Sequence, residues 1–320
     1  MHDAGMRYSR QELVIGKDAQ KKIESSSAVV IGLGALGTVT SELLVMAGIG
    51  TLKIIDRDRV EESNLQRQSI YSEQDIGQPK AEVAMKKLKG INSKIVIASG
   101  IADLDHGNIH EMLEGNDIIL DCTDNLYARF LINDYSRKSS IPWVYAGAIR
   151  ENGNVMAITK DTPCFRCIVE EVEDFETCDT VGVTAAVCHV IASIQSDIAL
   201  RVITGTFKKQ ELISLGMNSL RLTKSLTSRS KKCPACNGSY EYLSGEKEKN
   251  STKYCSGIFV FRMVNLNIES ISKRLIKLGG HSSDKCIFFD NVTIFPDGKV
   301  MVKAESIEDA KSEISRYIGM

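Results

Sequence analysis

One run of seven residues constrains this chain more than any other. Ile31-Gly32-Leu33-Gly34-Ala35-Leu36-Gly37 lies between an apolar stretch, Ala28 to Ile31, and a helical pattern over Ala35 to Ala47. A G-x-G-x-x-G turn between strand and helix has one physical logic. Gly32 permits the tight turn, Gly34 lets backbone approach a phosphate or ribose, and Gly37 lets the helix pack closely on the strand. Asp56 ends the next apolar run, Thr51 to Ile55. An acid there accepts hydrogen bonds from ribose hydroxyls. The turn predicts a dinucleotide-type fold without separating a nicotinamide dinucleotide from ATP.

The alternation continues downstream. Residues 8–24 read as an amphipathic helix with Leu13, Val14 and Ile23 on its apolar side. A helix begins behind Pro79 and runs to about Lys89. Strands are expected at Lys94 to Ala98, Asp117 to Leu120 and Trp143 to Ala146, with helices near 105–115 and 125–139. Such alternation implies a Rossmann-like, doubly wound, mainly parallel sheet covered on both faces. After Ala148 the pattern changes. Asn154 to Thr159 reads as a strand, residues 168–181 as an acidic mobile loop, and Thr184 to Ile203 as an apolar helix. Leu212–Leu215 and Leu220–Leu226 form a hairpin. This predicts a C-terminal antiparallel extension of the sheet. The expected domains are residues 1–242, a polar linker over 243–253, and a small α+β unit over 254–320.

Composition narrows the function classes. A net charge of −1 gives no broad attraction to nucleic acid or anionic membranes. No apolar run approaches the ~20 residues of a membrane span, and the N-terminus lacks the apolar core of a signal peptide. A cytoplasmic location is therefore expected. There the nine cysteines point to metal or catalysis rather than a disulfide framework.

Charged residues gather after Asp56. Asp58, Asn64, Arg67 and Lys80 follow it closely, and Asp124 and Asn125 end the run from Asp121. Arg67 and Lys80 supply the cations that a triphosphate needs before a carboxylate can approach its α-phosphorus. Asp124 suits Mg²⁺, while Asp124 and Asn125 equally suit a helix N-cap. Cys164, Cys167, Cys233 and Cys236 form two C-x-x-C pairs, which together make a closed tetrahedral zinc site; a redox pair is the competing reading.

Taken in order, these motifs resemble the MoeB/ThiF adenylyltransferases, prokaryotic relatives of ubiquitin-activating enzymes. They are Gly32–Gly37, Ile55–Asp58, Asn64–Gln68, Gly77–Lys80 and Asp121–Asn125, preceded by Arg7–Gln11. The resemblance covers roughly residues 7–240, the cysteine tetrad included. It implies ATP as substrate, with Mg²⁺ and structural Zn²⁺. Asp56 would bind the ribose, and Asn64, Arg67 and Lys80 the triphosphate. Asp124 would hold Mg²⁺, and Arg10 would reach the phosphates from the second protomer of a homodimer. The implied partner is a ubiquitin-like sulfur-carrier protein ending in Gly-Gly, whose C-terminal carboxylate is adenylated, with sulfur from a separate donor. Cys178 aligns with a cysteine that takes up the activated carrier in some relatives; neighbouring acids would lower its thiolate fraction. The other readings are an NAD-dependent oxidoreductase, a non-catalytic half of a heterodimer, and a relative that adenylates a tRNA base or a peptide.

Overall fold

Short apolar runs and longer helical patterns resolve into βαβ units. The computed structural model describes residues 6–169, 181–208, 211–247, 251–253, 257–263, 267–283 and 286–318. It divides into two units, Met1–Glu246 and Lys247–Met320. Cys178 and most of the acidic 168–181 segment lie outside the described residues.

The N-terminal pattern is two helices rather than one, α1 (Ser9–Ile15) and α2 (Lys17–Ser25). Gly16 breaks it, with φ 86° and ψ 154°. Leu13 and Val14 are not the buried side of this segment, being 87% and 85% exposed. What anchors α1 is polar and aromatic: Gln11 donates to the Ala47 carbonyl at 2.9 Å, and the Tyr8 hydroxyl accepts from Asn92 at 2.8 Å.

The first unit then runs β1 (Ser27–Ile31), α3 (Ala35–Ala47), β2 (Thr51–Ile55), α4 (Lys80–Ile91), β3 (Val96–Gly100) and α5 (Ile109–Leu113). It continues with β4 (Ile118–Asp121), α6 (Leu126–Ser139), β5 (Trp143–Ile149), β6 (Asn152–Ile158), α7 (Ala185–Thr204), β7 (Glu211–Gly216) and β8 (Arg221–Leu226). The sheet order is β3-β2-β1-β4-β5-β6-β7-β8. The first five strands are parallel, and β6 to β8 add antiparallel to β5. α3 packs with α4 and α7, while α6 packs with α5 and the two cysteine turns. Trp143 and Ile119 of the sheet share one core with Phe130 and Leu131 of α6.

The register aligns the carboxyl edge of the parallel strands. Ile31 pairs with Ile55 on one side and Asp121 on the other. The ladder carries one residue further, because Gly32 N–H donates to the Ile55 carbonyl at 2.8 Å and Cys122 N–H to the Ile31 carbonyl at 2.9 Å. Gly32, Asp56 and Cys122 therefore leave the sheet at one level.

α7 corrects one expectation. Its 20 residues are long and apolar enough to cross a membrane by length and composition. Here it packs against α3, β5 and β6, burying Val187, Ile191 and Ala199 as a core helix does.

The second unit comprises β9 (Ser251–Lys253), β10 (Ile258–Arg262), α8 (Ile268–Lys277), β11 (His281–Ser283), β12 (Cys286–Phe289), β13 (Val292–Ile294), β14 (Lys299–Lys303) and α9 (Ile307–Tyr317). Its antiparallel sheet is ordered β11-β12-β13-β14-β10-β9. Ser251–Lys253, read as linker, pairs with Phe259–Phe261 instead. β11 and β13 escape sequence reading because three residues carry no period. Ser306 caps α9, accepting from Asp309 N–H at 3.1 Å.

A candidate nucleotide cleft at the carboxyl edge

β1 is flanked by β2 and β4, whose connections run over opposite faces of the sheet. This is the topological switch point, where the loops after adjacent strands splay and leave a crevice. The glycine turn leaves β1 on one side, and Cys122–Asn125 leaves β4 on the other.

The three glycines do different jobs. Gly32 has φ +89°, and a Cβ there would sit 2.7 Å from the Cys122 carbonyl oxygen. A Cβ on Gly37 would sit 1.8 Å from the Gly32 carbonyl oxygen. Gly37→Ala must push α3 off β1, and overpacking of this kind costs ~3 kcal/mol, or roughly 5–10 °C of melting temperature. A thermal melt with unchanged midpoint would contradict this packing. Gly34 differs: only the Gln68 amide nitrogen, at 3.8 Å, comes near its absent Cβ. The space over Gly34 is open, at the positive end of α3, which favours an anion.

Asp56 closes the floor of the cleft. One carboxylate oxygen accepts from Leu33 N–H at 2.5 Å and the other from Asp58 N–H at 2.7 Å. Burial pushes its pKa up, against the opposing charge of Lys80. Asp58 is driven the other way: Lys80 and Arg57 outweigh its burial and hold it below the usual carboxylate range.

Lys80 is the centre of the arrangement. Its side chain is 7% exposed, and its ammonium lies 3.5 Å from Asp58. Burial works to discharge it, but Asp58, Asp56, Asp124 and Glu61 together raise its pKa above the ordinary lysine value. The fold thus brings Lys80, Asp56, Asp58 and Asp124 into one electrostatic cluster, although they come from three different loops. Pro79 precedes the first turn of α4 and fixes where Lys80 starts.

Asn64 and Arg67 lie on the loop between β2 and α4. Asn64 is buried, its side-chain oxygen lacks a hydrogen-bond partner, and its amide lies 3.3 Å from the Ser63 hydroxyl. Arg67 donates to the Ser63 carbonyl at 2.9 Å and is not tied to Lys80 or Asp124 by any of its described contacts. Asp124 is exposed at the bend after β4. Asn125 is an N-cap, as its alternative reading held: its side-chain oxygen accepts from Ala128 N–H at 2.8 Å. Arg10 is not brought to the cleft. It sits on α1, which is anchored at Ala47, the end of α3 opposite the glycine turn.

Sequence reading missed several residues here. Gln68 is 3% exposed, with an unpartnered side-chain oxygen and an amide nitrogen facing Gly34. Tyr71 donates to the Leu33 carbonyl at 3.1 Å and approaches the Lys80 carbonyl at 3.3 Å, bracing the glycine turn against α4. Arg129 donates to the Thr123 carbonyl at 2.6 Å and lies over the Tyr145 ring at 5.1 Å. Glutamine and tyrosine carry no spacing signature, and an arginine in a first helical turn looks like an ordinary surface charge.

The four cysteines meet on the α6 side of the sheet. Cys164 lies 3.4 Å from Cys233, 3.6 Å from Cys236 and 3.8 Å from Cys167, and Cys167 lies 3.5 Å from Cys236. All four sulfurs fall within 4.8 Å of one another. Four thiolates ~2.3 Å from a central ion are ~3.8 Å apart, so this cage fits a tetrahedral metal. Burial raises the Cys233 thiol to about 11, a cost that a bound cation removes. Arg166 ties the cage to neighbouring loops through Glu241 at 2.6 Å. Cys122, Cys188 and Cys286 are buried outside this cage.

Comparison with known proteins agrees with this geometry. Residues 8–238 match the ThiF family. The sulfur carrier protein ThiS adenylyltransferase of Bacillus subtilis is 32% identical over 98% of this chain and 99% of its own length. The molybdopterin-synthase adenylyltransferase of Escherichia coli is 34% identical over 62% of this chain and 82% of its own. The SAMP-activating enzyme E1 of Haloferax volcanii is 35% identical over 62% and 75%. Among solved structures, Escherichia coli MccB with ATP shares the fold at a TM-score of 0.64 and 24% identity, over 72% of this chain and 74% of its own. An oxidoreductase reading finds no support among these relatives. The chain belongs to the ThiF family, as an adenylyltransferase of the MoeB/ThiF type.

Proposed function

We propose that this chain uses ATP to adenylate the C-terminal glycine carboxylate of a ubiquitin-like sulfur-carrier protein ending in Gly-Gly. The carboxylate oxygen attacks the α-phosphorus, the bond to pyrophosphate breaks, and the carrier leaves as an acyl-adenylate. The observation that carries this reading is Lys80: a buried ammonium held charged by four carboxylates, in a cleft with an open glycine at a helix N-terminus. Asp56 and Asp58 would take the ribose, and Asn64, Arg67, Gln68 and Lys80 the phosphates. Asp124 would hold Mg²⁺, which neutralises phosphate charge when bound. Positioning and charge neutralisation carry the step, so no side-chain nucleophile is needed. Adenylation therefore does not require Cys178; a role for it would belong to the later sulfur-transfer step, with sulfur from a separate donor. The cysteine cage would hold Zn²⁺ as a structural tie. Mass spectrometry of the carrier after incubation with ATP tests the reading. A carrier-AMP adduct supports it, and its absence under conditions that label the carrier of a known relative would sink it.

Gly34→Ala is expected to fold normally, since its Cβ meets open space, yet to weaken ATP binding about tenfold by occupying the approach to the phosphates. Isothermal titration checks this, and unchanged affinity would place the nucleotide elsewhere.

Arg10 enters this reading from a second copy of the chain. α3, with 13 residues, is ~20 Å long and separates α1 from the glycine turn. The exposed Leu13 and Val14 beside Arg10 give a partner subunit something to cover. Arg10→Ala and Lys80→Ala should each be inactive alone. Mixed together, they should regain up to roughly a quarter of wild-type activity, because half of the reassorted dimers carry one intact site. Failure of the mixture to recover, with subunit exchange verified, would remove Arg10 from the site.

A further inference from the structure

α7 is an apolar helix, yet it carries a glutamine with no solvent exposure at Gln195. Both amide hydrogens are used: Gln195 donates to the Asp121 carbonyl and to the Val144 carbonyl, each at 2.9 Å. Its oxygen accepts from the Thr40 hydroxyl at 2.8 Å and lies 3.2 Å from the Cys122 sulfur. The side chain therefore joins α7, α3, β4 and β5 at one point.

That point is where the cleft opens. On the β1 side, β4 stays in the ladder through Cys122 N–H. On the β5 side the last registered pair is Asp121 with Tyr145. Gln195 takes the carbonyl oxygens there, so it sets where β4 leaves its neighbour. The loop is then fixed from its other side. Asp121 accepts from Thr123 N–H at 2.9 Å and from the Thr123 hydroxyl at 2.7 Å, and Arg129 donates to the Thr123 carbonyl. Asn125 is held by its cap. Asp124 is the exposed residue of this braced loop.

Packing alone does not call for such a residue. A leucine or methionine would fill the space but would leave the Asp121 and Val144 carbonyls without these donors. A buried amide whose donors and acceptor are all used instead specifies one geometry. We infer that Gln195, assisted by Thr40, is a positioning residue that aims the Asp124 carboxylate at the metal–nucleotide complex. This rests on the function proposed above.

The test measures metal binding rather than turnover. Mn²⁺ affinity is read by electron paramagnetic resonance on the full-length protein with a non-hydrolysable ATP analogue. The variants are Gln195→Met, Thr40→Val, Thr40→Ser and Asp124→Ala. Gln195→Met and Thr40→Val should weaken Mn²⁺ about tenfold, as loss of supporting contacts around a metal ligand does. Metal-free analogue binding should change less than about twofold, since that carboxylate acts through the metal. Thr40→Ser, which keeps the hydroxyl, should recover wild-type affinity. Should Gln195→Met not fold, Thr40→Val, which keeps the side-chain shape, decides the matter. Unchanged Mn²⁺ affinity in folded Gln195→Met or Thr40→Val, with Asp124→Ala weakened, overturns the positioning role and leaves the proposed function standing. Unchanged affinity in Asp124→Ala instead removes Asp124 from the metal site, and the inference falls with that assignment.

Discussion

Lys80→Ala should lower carrier-dependent ATP turnover by about three orders of magnitude, the scale seen when one fixed charge donor is removed from a developing anion. The structure gives the reason. The ammonium is buried, and its nearest partner is Asp58 at 3.5 Å. Its charge persists because carboxylates on three loops hold it. Removing it leaves Asp56, Asp58 and Asp124 around the cleft with less to oppose them, and a triphosphate then meets net negative charge. Lys80→Arg should recover part of the rate, since the charge remains but spreads over a wider planar group. Steady-state assays of pyrophosphate release check both variants. Wild-type turnover in Lys80→Ala would mean that the buried lysine only balances its acidic neighbours.

The second large effect concerns stability. Stripping metal from the cysteine cage, or replacing Cys164 by serine, should lower the melting temperature by roughly 10–20 °C, equivalent to a loss of ~5 kcal/mol. The cage joins two chain segments far apart in sequence, one after β6 and one after β8. Its turns pack on α6, where Phe165 N–H donates to the Asn133 side chain at 2.8 Å. Phe165 also stacks near Trp143 at 5.9 Å, so the cage supports one face of the core. Calorimetry with zinc quantification tests this. A melting temperature indifferent to chelation, with metal shown to leave, would reduce the cage to four packed thiols.

Much of this was legible before the fold was known. The glycine turn, Asp56 and Asp124 stand at strand ends, Lys80 opens α4, and a parallel sheet brings strand ends together. Register did the rest, which is why residues from three loops meet. The C-x-x-C pairs were readable because metal chemistry demands their spacing. What escaped reading depended on contacts that sequence does not encode locally. Gln195 looks like a polar lapse in an apolar helix until its four partners from distant elements surround it. Leu13 and Val14 look like a core face, but Gly16 turns α1 away and polar anchors hold it. Gln68 belongs to the Asn64–Gln68 motif, yet only the fold, through its burial and its distance from Gly34, distinguishes it from the exposed Gln66.

On the proposed function, this cleft activates the terminal carboxylate of a Gly-Gly tail with ATP. Exchange of labelled pyrophosphate into ATP measures that step directly, using a ubiquitin-like carrier with its tail intact or with the final glycine removed. Exchange is expected with the intact carrier and none with the shortened one. Equal exchange with both, or none with any carrier while ATP binds, would contradict it.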